Sequence, residues 1–199
     1  MRTWMLSLAR MALLAGWSGS AWTSQPHRPP IEAVWQPQQV EFRAATSYSC
    51  SGLRDRVRTI LVRLGARSDL KVIVLDCDDT SLSPRVRAIF ASPVVADEAT
   101  VRRLTTYDER QKLVARTHGA TLPSATDLER FRAEWDSISF ARDVRMKLRP
   151  GDCELVRQIR QEIVPRLAVK VVRDGGRCSI FGNISSPRLT VDALIAARD

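Results

Sequence analysis

The stretch VIVLDCDDTSLS, Val72 to Ser83, sets two aspartates, Asp76 and Asp78, and a hydroxyl, Thr80, just past an apolar run of strand length. Carboxylates at a strand exit could serve as a nucleophile or as a general acid and base. The same residues could equally form the solvated end of a strand, with Cys77 as half of a disulfide. The elements around them decide between the two.

The spacing is similar to the nucleophile loop of the haloacid dehalogenase superfamily, and LRPGDCELVRQIR resembles the helix before that superfamily's second motif. The resemblance implies a magnesium-dependent phosphatase with Asp76 as nucleophile and Asp78 as acid and base. The rest of such a site departs from the pattern. Where the strand in LAVKVVRDGG should finish in a phosphate-holding Ser or Thr, Arg173 and Asp174 stand instead. The 21 residues after Cys178 contain no Lys and only Asp192 and Asp199 as acids, so the later lysine and acidic pair are missing. The reading is therefore noncatalytic, with the phosphatase as its alternative.

No other catalytic constellation assembles from the sequence. His27 and His118 are its two histidines, too few and too far apart for a triad or a histidine metal site. The cysteines lack CxxC spacing. Ser49 and Ser51 flank Cys50 as helix-capping hydroxyls, and Tyr48 and Trp135 read as packing aromatics. No cofactor and no metal is expected outside the phosphatase alternative.

The N-terminus bears on location. MRTWMLSLARMALLAGWSGSA has Arg2 and Arg10, an apolar stretch from Met11 to Trp17 and small residues to Ala21, as in a secretory signal peptide over residues 1–21. Residues 22–39, with four prolines, read as an extended tether, and a single domain follows over 40–199. No later segment is apolar enough to span a membrane. Of 31 basic residues 27 are Arg, scattered among acids, and the net charge is +9 with 6% aromatics. Export argues against nucleic acid as a partner. It leaves an envelope protein, or an anionic polymer or lipid gripped by a basic adaptor, as the partner classes.

All four cysteines, Cys50, Cys77, Cys153 and Cys178, fall in the mature chain, and an even count in an exported protein favours disulfides. The flanking patterns repeat. In the first copy a strand over Val40 to Thr46 leads to Cys50. Leu53, Val57, Ile60, Leu61 and Leu64 then follow at helical spacing, Gly65 is a stop, and a strand over Leu70 to Leu75 ends at Cys77. In the second, Ile138 and Phe140 mark a strand and Asp152 a helix cap. Leu155, Val156, Ile159, Ile163 and Val164 form a helical face, and Val169, Val171 and Val172 a strand that leads to Cys178. A helix antiparallel to its strands brings its first turn to the exit of the second strand, so Cys50 pairs with Cys77 and Cys153 with Cys178.

The expected fold class is α+β. Two strand-helix-strand modules share one sheet in a ferredoxin-like manner, stapled by disulfides, with an insertion over about 78–134. That insertion carries a strand at RVRAIFAS, a helical stretch at ADEATVRRLTTYDERQKLVART and a short helix after Ser124 to Thr126. The tail SPRLTVDALIAARD reads as an edge strand or a helix.

With Tyr48-Ser49-Cys50 opening a helix, LGARSDLKV leading into a strand, then GDCELVRQI and a closing cysteine, the chain resembles an uncharacterised group of exported proteobacterial proteins over roughly Val40 to Cys178. Those proteins carry Gly-Cys where this chain has Asp76-Cys77. The resemblance implies a periplasmic or secreted location and no particular activity. The expectation is a noncatalytic binding or assembly domain of the envelope or secreted space.

Overall fold

The computed structural model describes residues 29–44, 48–77, 83–175, 178 and 188–197. The segment read as a signal peptide, the first part of the tether, Asp78 and Thr80 lie outside these residues.

The first strand, β1 (Ile31–Arg43), begins nine residues before the expected Val40, inside the segment read as a tether. Three of that segment's prolines precede Ile31, and only Pro37 interrupts the strand. Beyond Val34 the ladder to one neighbour has ended, so a residue without an N–H is tolerated there. Val40 and Phe42 are buried between exposed Gln39, Glu41 and Arg43, the alternation of a half-buried strand.

Helix α1 (Cys50–Arg63) starts where the Ser49 hydroxyl accepts the Gly52 N–H at 3.2 Å. Its Leu53, Val57, Ile60 and Leu61 are buried, as their spacing requires. Gly65 ends it with φ +96, while the Ala66 N–H reaches back to the Leu61 carbonyl. A Cβ on Gly65 would collide with the Leu194 carbonyl oxygen and press on Pro93. Gly65→Ala should therefore cost about 2 kcal/mol, from the left-handed backbone plus displaced main chain, read as a shift in the urea midpoint.

Strands β2 (Lys71–Leu75) and β3 (Arg85–Val95) follow. The RVRAIFAS segment is thus a full member of the sheet. Helices α2 (Glu98–Thr105) and α3 (Glu109–Thr117) form the real excursion, each started by an aspartate cap, Asp97 and Asp108. The short helix expected after Ser124 is a turn, because Asp127 accepts the Ser124 N–H and hydroxyl and closes the chain on itself. Strand β4 (Arg130–Ser139), helix α4 (Cys153–Glu162), strand β5 (Val169–Asp174) and strand β6 (Leu189–Ala196) complete the chain.

The sheet order is β2-β3-β1-β4-β6-β5, and every neighbouring pair is antiparallel. β1 and β2 are therefore parallel to each other with β3 between them, and β4 and β5 are parallel with β6 between them. The duplicated unit is strand-helix-strand-strand, one strand longer than expected. Each copy fills its own gap with its third strand, where a ferredoxin-like sheet interleaves strands of the two copies. The tail is accordingly an interior strand. The copies meet where Ile31–Val34 of β1 pair with Arg130–Ala133 of β4.

Both helices lie over one face: Val57, Ile60, Leu155 and Ile159 share one buried cluster with Val40, Phe42, Val86, Ile138 and Val191. Strand alternation turns Ala33, Ala133 and Leu194 to the other face, where Trp35, Phe131 and Trp135 pack around them. Cys50 at the start of α1 is bonded to Cys77 beyond β2, with 5.8 Å between Cα atoms, and Cys153 at the start of α4 to Cys178, at 5.6 Å. Bonds of this kind belong to a compartment outside the reducing cytosol. Among the described residues no helix is long and apolar enough to cross a membrane.

Candidate binding cleft

Asp76 leaves β2 with φ +53, a left-handed conformation that aspartate tolerates better than most residues. Its carboxylate accepts a hydrogen bond from Arg85 Nε at 2.6 Å. That bond, with the charge of Arg85 behind it, holds the Asp76 carboxyl below the usual carboxylate range. Arg85 also lies 3.5 Å from Glu41. A nucleophilic aspartate of the haloacid dehalogenase type would sit at the end of a strand in a parallel sheet, whereas β2 is antiparallel to β3, its one described neighbour. That departure corrects the fold implied by the phosphatase alternative. Asp76→Asn, which keeps the left-handed tolerance and loses an exposed ion pair, should leave the thermal unfolding midpoint nearly unchanged.

The remaining residues singled out in the sequence are dispersed. His118 ends α3 on the exposed side, and His27 lies outside the described residues. Tyr48 packs against the core, with its hydroxyl buried. Among the described residues no group of three or more His, Cys, Asp or Glu side chains could hold a metal ion.

The structure instead gathers residues that no local motif announces. A cleft of about 600 Å³ opens where the C-terminal half of α1 and the loop after it meet the end of β6. Trp35, Val62, Ile195 and Ala196 supply apolar surface, and Arg58, Arg63, Arg67 and Arg145 supply four guanidinium groups. Arg58 donates to the carbonyls of Leu70, at 2.9 Å, and Ser68, at 2.6 Å. Arg67 pairs with Asp69 at 2.8 Å and with Glu129 at 3.4 Å. None of the carboxylates that answer these arginines lies on the cleft's own lining. The carboxylates behind Arg63, Arg67 and Arg145 offset much of their charge, and Arg58 meets none among the described residues.

Arg63 anchors the cleft. Only 11% exposed, it donates to Asp136 at 2.8 Å and to Asp143, itself 7% exposed, and so ties α1 to β4 and to the turn after it. Burial alone would push the Asp143 carboxyl up, but hydrogen bonds from Arg145 and Arg63 outweigh it and leave Asp143 below its ordinary value. Asp152 behaves in the opposite way. It occupies the first position before α4, but its carboxylate accepts the Arg149 N–H at 2.7 Å and closes the preceding 3-10 turn, so it does not cap the helix as expected. It is buried, and with Arg56 Nε at 3.4 Å burial dominates and raises its carboxyl.

These two shifts give opposite pH dependences. A depressed folded value means that Asp143 stabilises the fold fully above the unfolded aspartate value, about 3.9, and loses that contribution as pH falls through the folded value. A raised value means that Asp152 costs stability when charged and returns it as pH falls through the raised value. Urea midpoints between about pH 2 and 6 should therefore show a flatter acid limb for Asp143→Asn and a steeper one for Asp152→Asn.

The sequence also carries a short repeat that matches the duplication. Ala33-Val34-Trp35 and Ala133-Glu134-Trp135 repeat at the points where β1 and β4 meet. Each tryptophan carries a cation from its own copy: Arg67 lies 5.8 Å from the Trp35 ring centroid and Lys170 lies 4.6 Å from that of Trp135. Phe131 stacks on Trp35 at 4.3 Å. The duplication is thus visible in residues as well as topology.

A scan against protein-family models gave no match, and searches of curated proteins and of solved structures found no significant match.

Proposed function

We propose that this chain is an exported binding domain of the periplasm or secreted space, which holds a partner in the arginine-lined cleft and does no chemistry on it. The observation that carries the reading is the cleft: four guanidinium groups and a tryptophan brought from four separate parts of the chain onto one concave surface, of a volume suited to a ligand. Two disulfides, one per copy, support the oxidising location. The N-terminal pattern of Arg2, Arg10 and an apolar stretch supports export, and the resemblance to exported proteobacterial proteins agrees with it. The ion pair between Asp76 and Arg85 and the antiparallel sheet weigh against the phosphatase alternative.

Amide hydrogen exchange of the disulfide-bonded protein, with and without the soluble extract of its own compartment, tests the reading. Protection confined to the cleft segments, around Trp35, over residues 58–68, around Arg145 and over residues 193–197, is the expected result. Protection elsewhere, or magnesium-dependent phosphomonoester turnover that disappears in Asp76→Asn, would overturn it.

A further inference from the structure

Building on the cleft as the binding site, we infer that its occupant is an acidic peptide segment of a partner protein, one that presents carboxylates beside an apolar side chain. The lining is of two kinds. Val62, 41% exposed on the outer face of α1, sits with Ile195 and Ala196 as a surface for an aliphatic or aromatic side chain. Around it stand guanidinium groups with N–H donors to spare. Each guanidinium has five donors. Arg58 spends two of its three nitrogens on main-chain carbonyls and meets no carboxylate among the described residues. Arg145 donates Nε and Nη2 to Asp143 and remains half exposed. Carboxylates match the planar fork of such groups, often in bidentate fashion.

Other anions fit less well. A sugar polymer would need an open aromatic face, but the Trp35 ring is stacked by Phe131 and overlain by Arg67. A membrane surface is broad, whereas these residues line a concavity, and a bilayer reaches protruding groups rather than recessed ones. An extended peptide can thread a cleft of this size and place alternate side chains on its apolar and cationic walls.

The test is fluorescence anisotropy of the full disulfide-bonded chain with a labelled peptide of alternating leucine and glutamate. Alternating leucine-lysine and glycine-glutamate peptides, hexagalacturonate and phosphatidylglycerol vesicles serve as comparisons. The leucine-glutamate peptide should bind at least about tenfold more tightly than every comparison. Val62→Asp and Arg145→Ala should each weaken it by about tenfold or more, Val62→Asp with little change in thermal unfolding and Arg145→Ala with the disulfide-bonded fold retained, and added salt should weaken it further. No binding, equal binding of the glycine-glutamate peptide, indifference to both substitutions, or tighter binding of hexagalacturonate or vesicles would overturn the inference. Because hydrogen exchange reports any occupant of the cleft, protection there without peptide binding would sink the peptide assignment and leave the binding-domain reading standing.

Discussion

Removing both disulfides, by Cys50→Ala with Cys77→Ala and Cys153→Ala with Cys178→Ala, should destabilise the protein by about 6 kcal/mol and leave it largely unfolded at 37 °C. Each bridge closes a loop of comparable length, with sequence separations of 27 and 25. In the chain-entropy picture each withdraws about 3 kcal/mol of freedom from the unfolded chain. A domain of this size has only about 5–15 kcal/mol in total. The bridges also pin corresponding places, the first turn of a helix to the exit of its second strand, so each copy should lose about the same amount alone. Urea unfolding of the two double variants and the quadruple variant measures this. Near-additive losses are expected because each bridge lies within its own copy.

Arg63→Met should cost about 3 kcal/mol, the largest effect expected of any single substitution away from the cysteines. The guanidinium is nearly buried and answers two carboxylates, of which Asp143 is almost fully enclosed. Methionine retains the volume and takes away the charge, so Asp143 is left with Arg145 alone, on its exposed side. Breaking a buried pair by removing one partner is far more damaging than removing both. Arg63→Met combined with Asp143→Leu should therefore recover most of the loss. A double-mutant cycle in urea gives the coupling directly, and additive losses would show that the pair contributes little.

Elements were legible in the sequence where a local pattern was enough. Leu53, Val57, Ile60 and Leu61 at helical spacing gave α1, and Leu155, Val156 and Ile159 gave α4. The two cysteine spacings, read against the geometry of a strand-helix-strand unit, gave the same pairs that the structure joins. The third strand of each copy was harder to place. RVRAIFAS looked like part of an insertion and LTVDALIA like an edge strand or a helix, because strand order is set by pairing across the sheet and leaves no mark on the strand itself. The start of β1 was hidden by Pro37 and its glutamine neighbours, tolerated because β4 has already ended alongside.

The cleft was the least legible feature. Trp35, Val62, Arg67, Arg145 and Ile195 are separated by up to 160 residues and meet only through the fold. Arginines scattered through a basic chain gave no sign of which four would share a surface. The repeated Ala-x-Trp was the one local clue. It marks where the two copies join, with Trp35 itself on the cleft lining.

Non-reducing peptide mapping of the protein recovered from its native cells most directly tests the claim of an exported, twice-bridged duplicate domain, since it reads the N-terminus and the cysteine links together. The expected result is a chain that begins near Trp22, with Cys50 linked to Cys77 and Cys153 linked to Cys178. An intact Met1 with free thiols at all four positions would contradict both the location and the role given to the bridges.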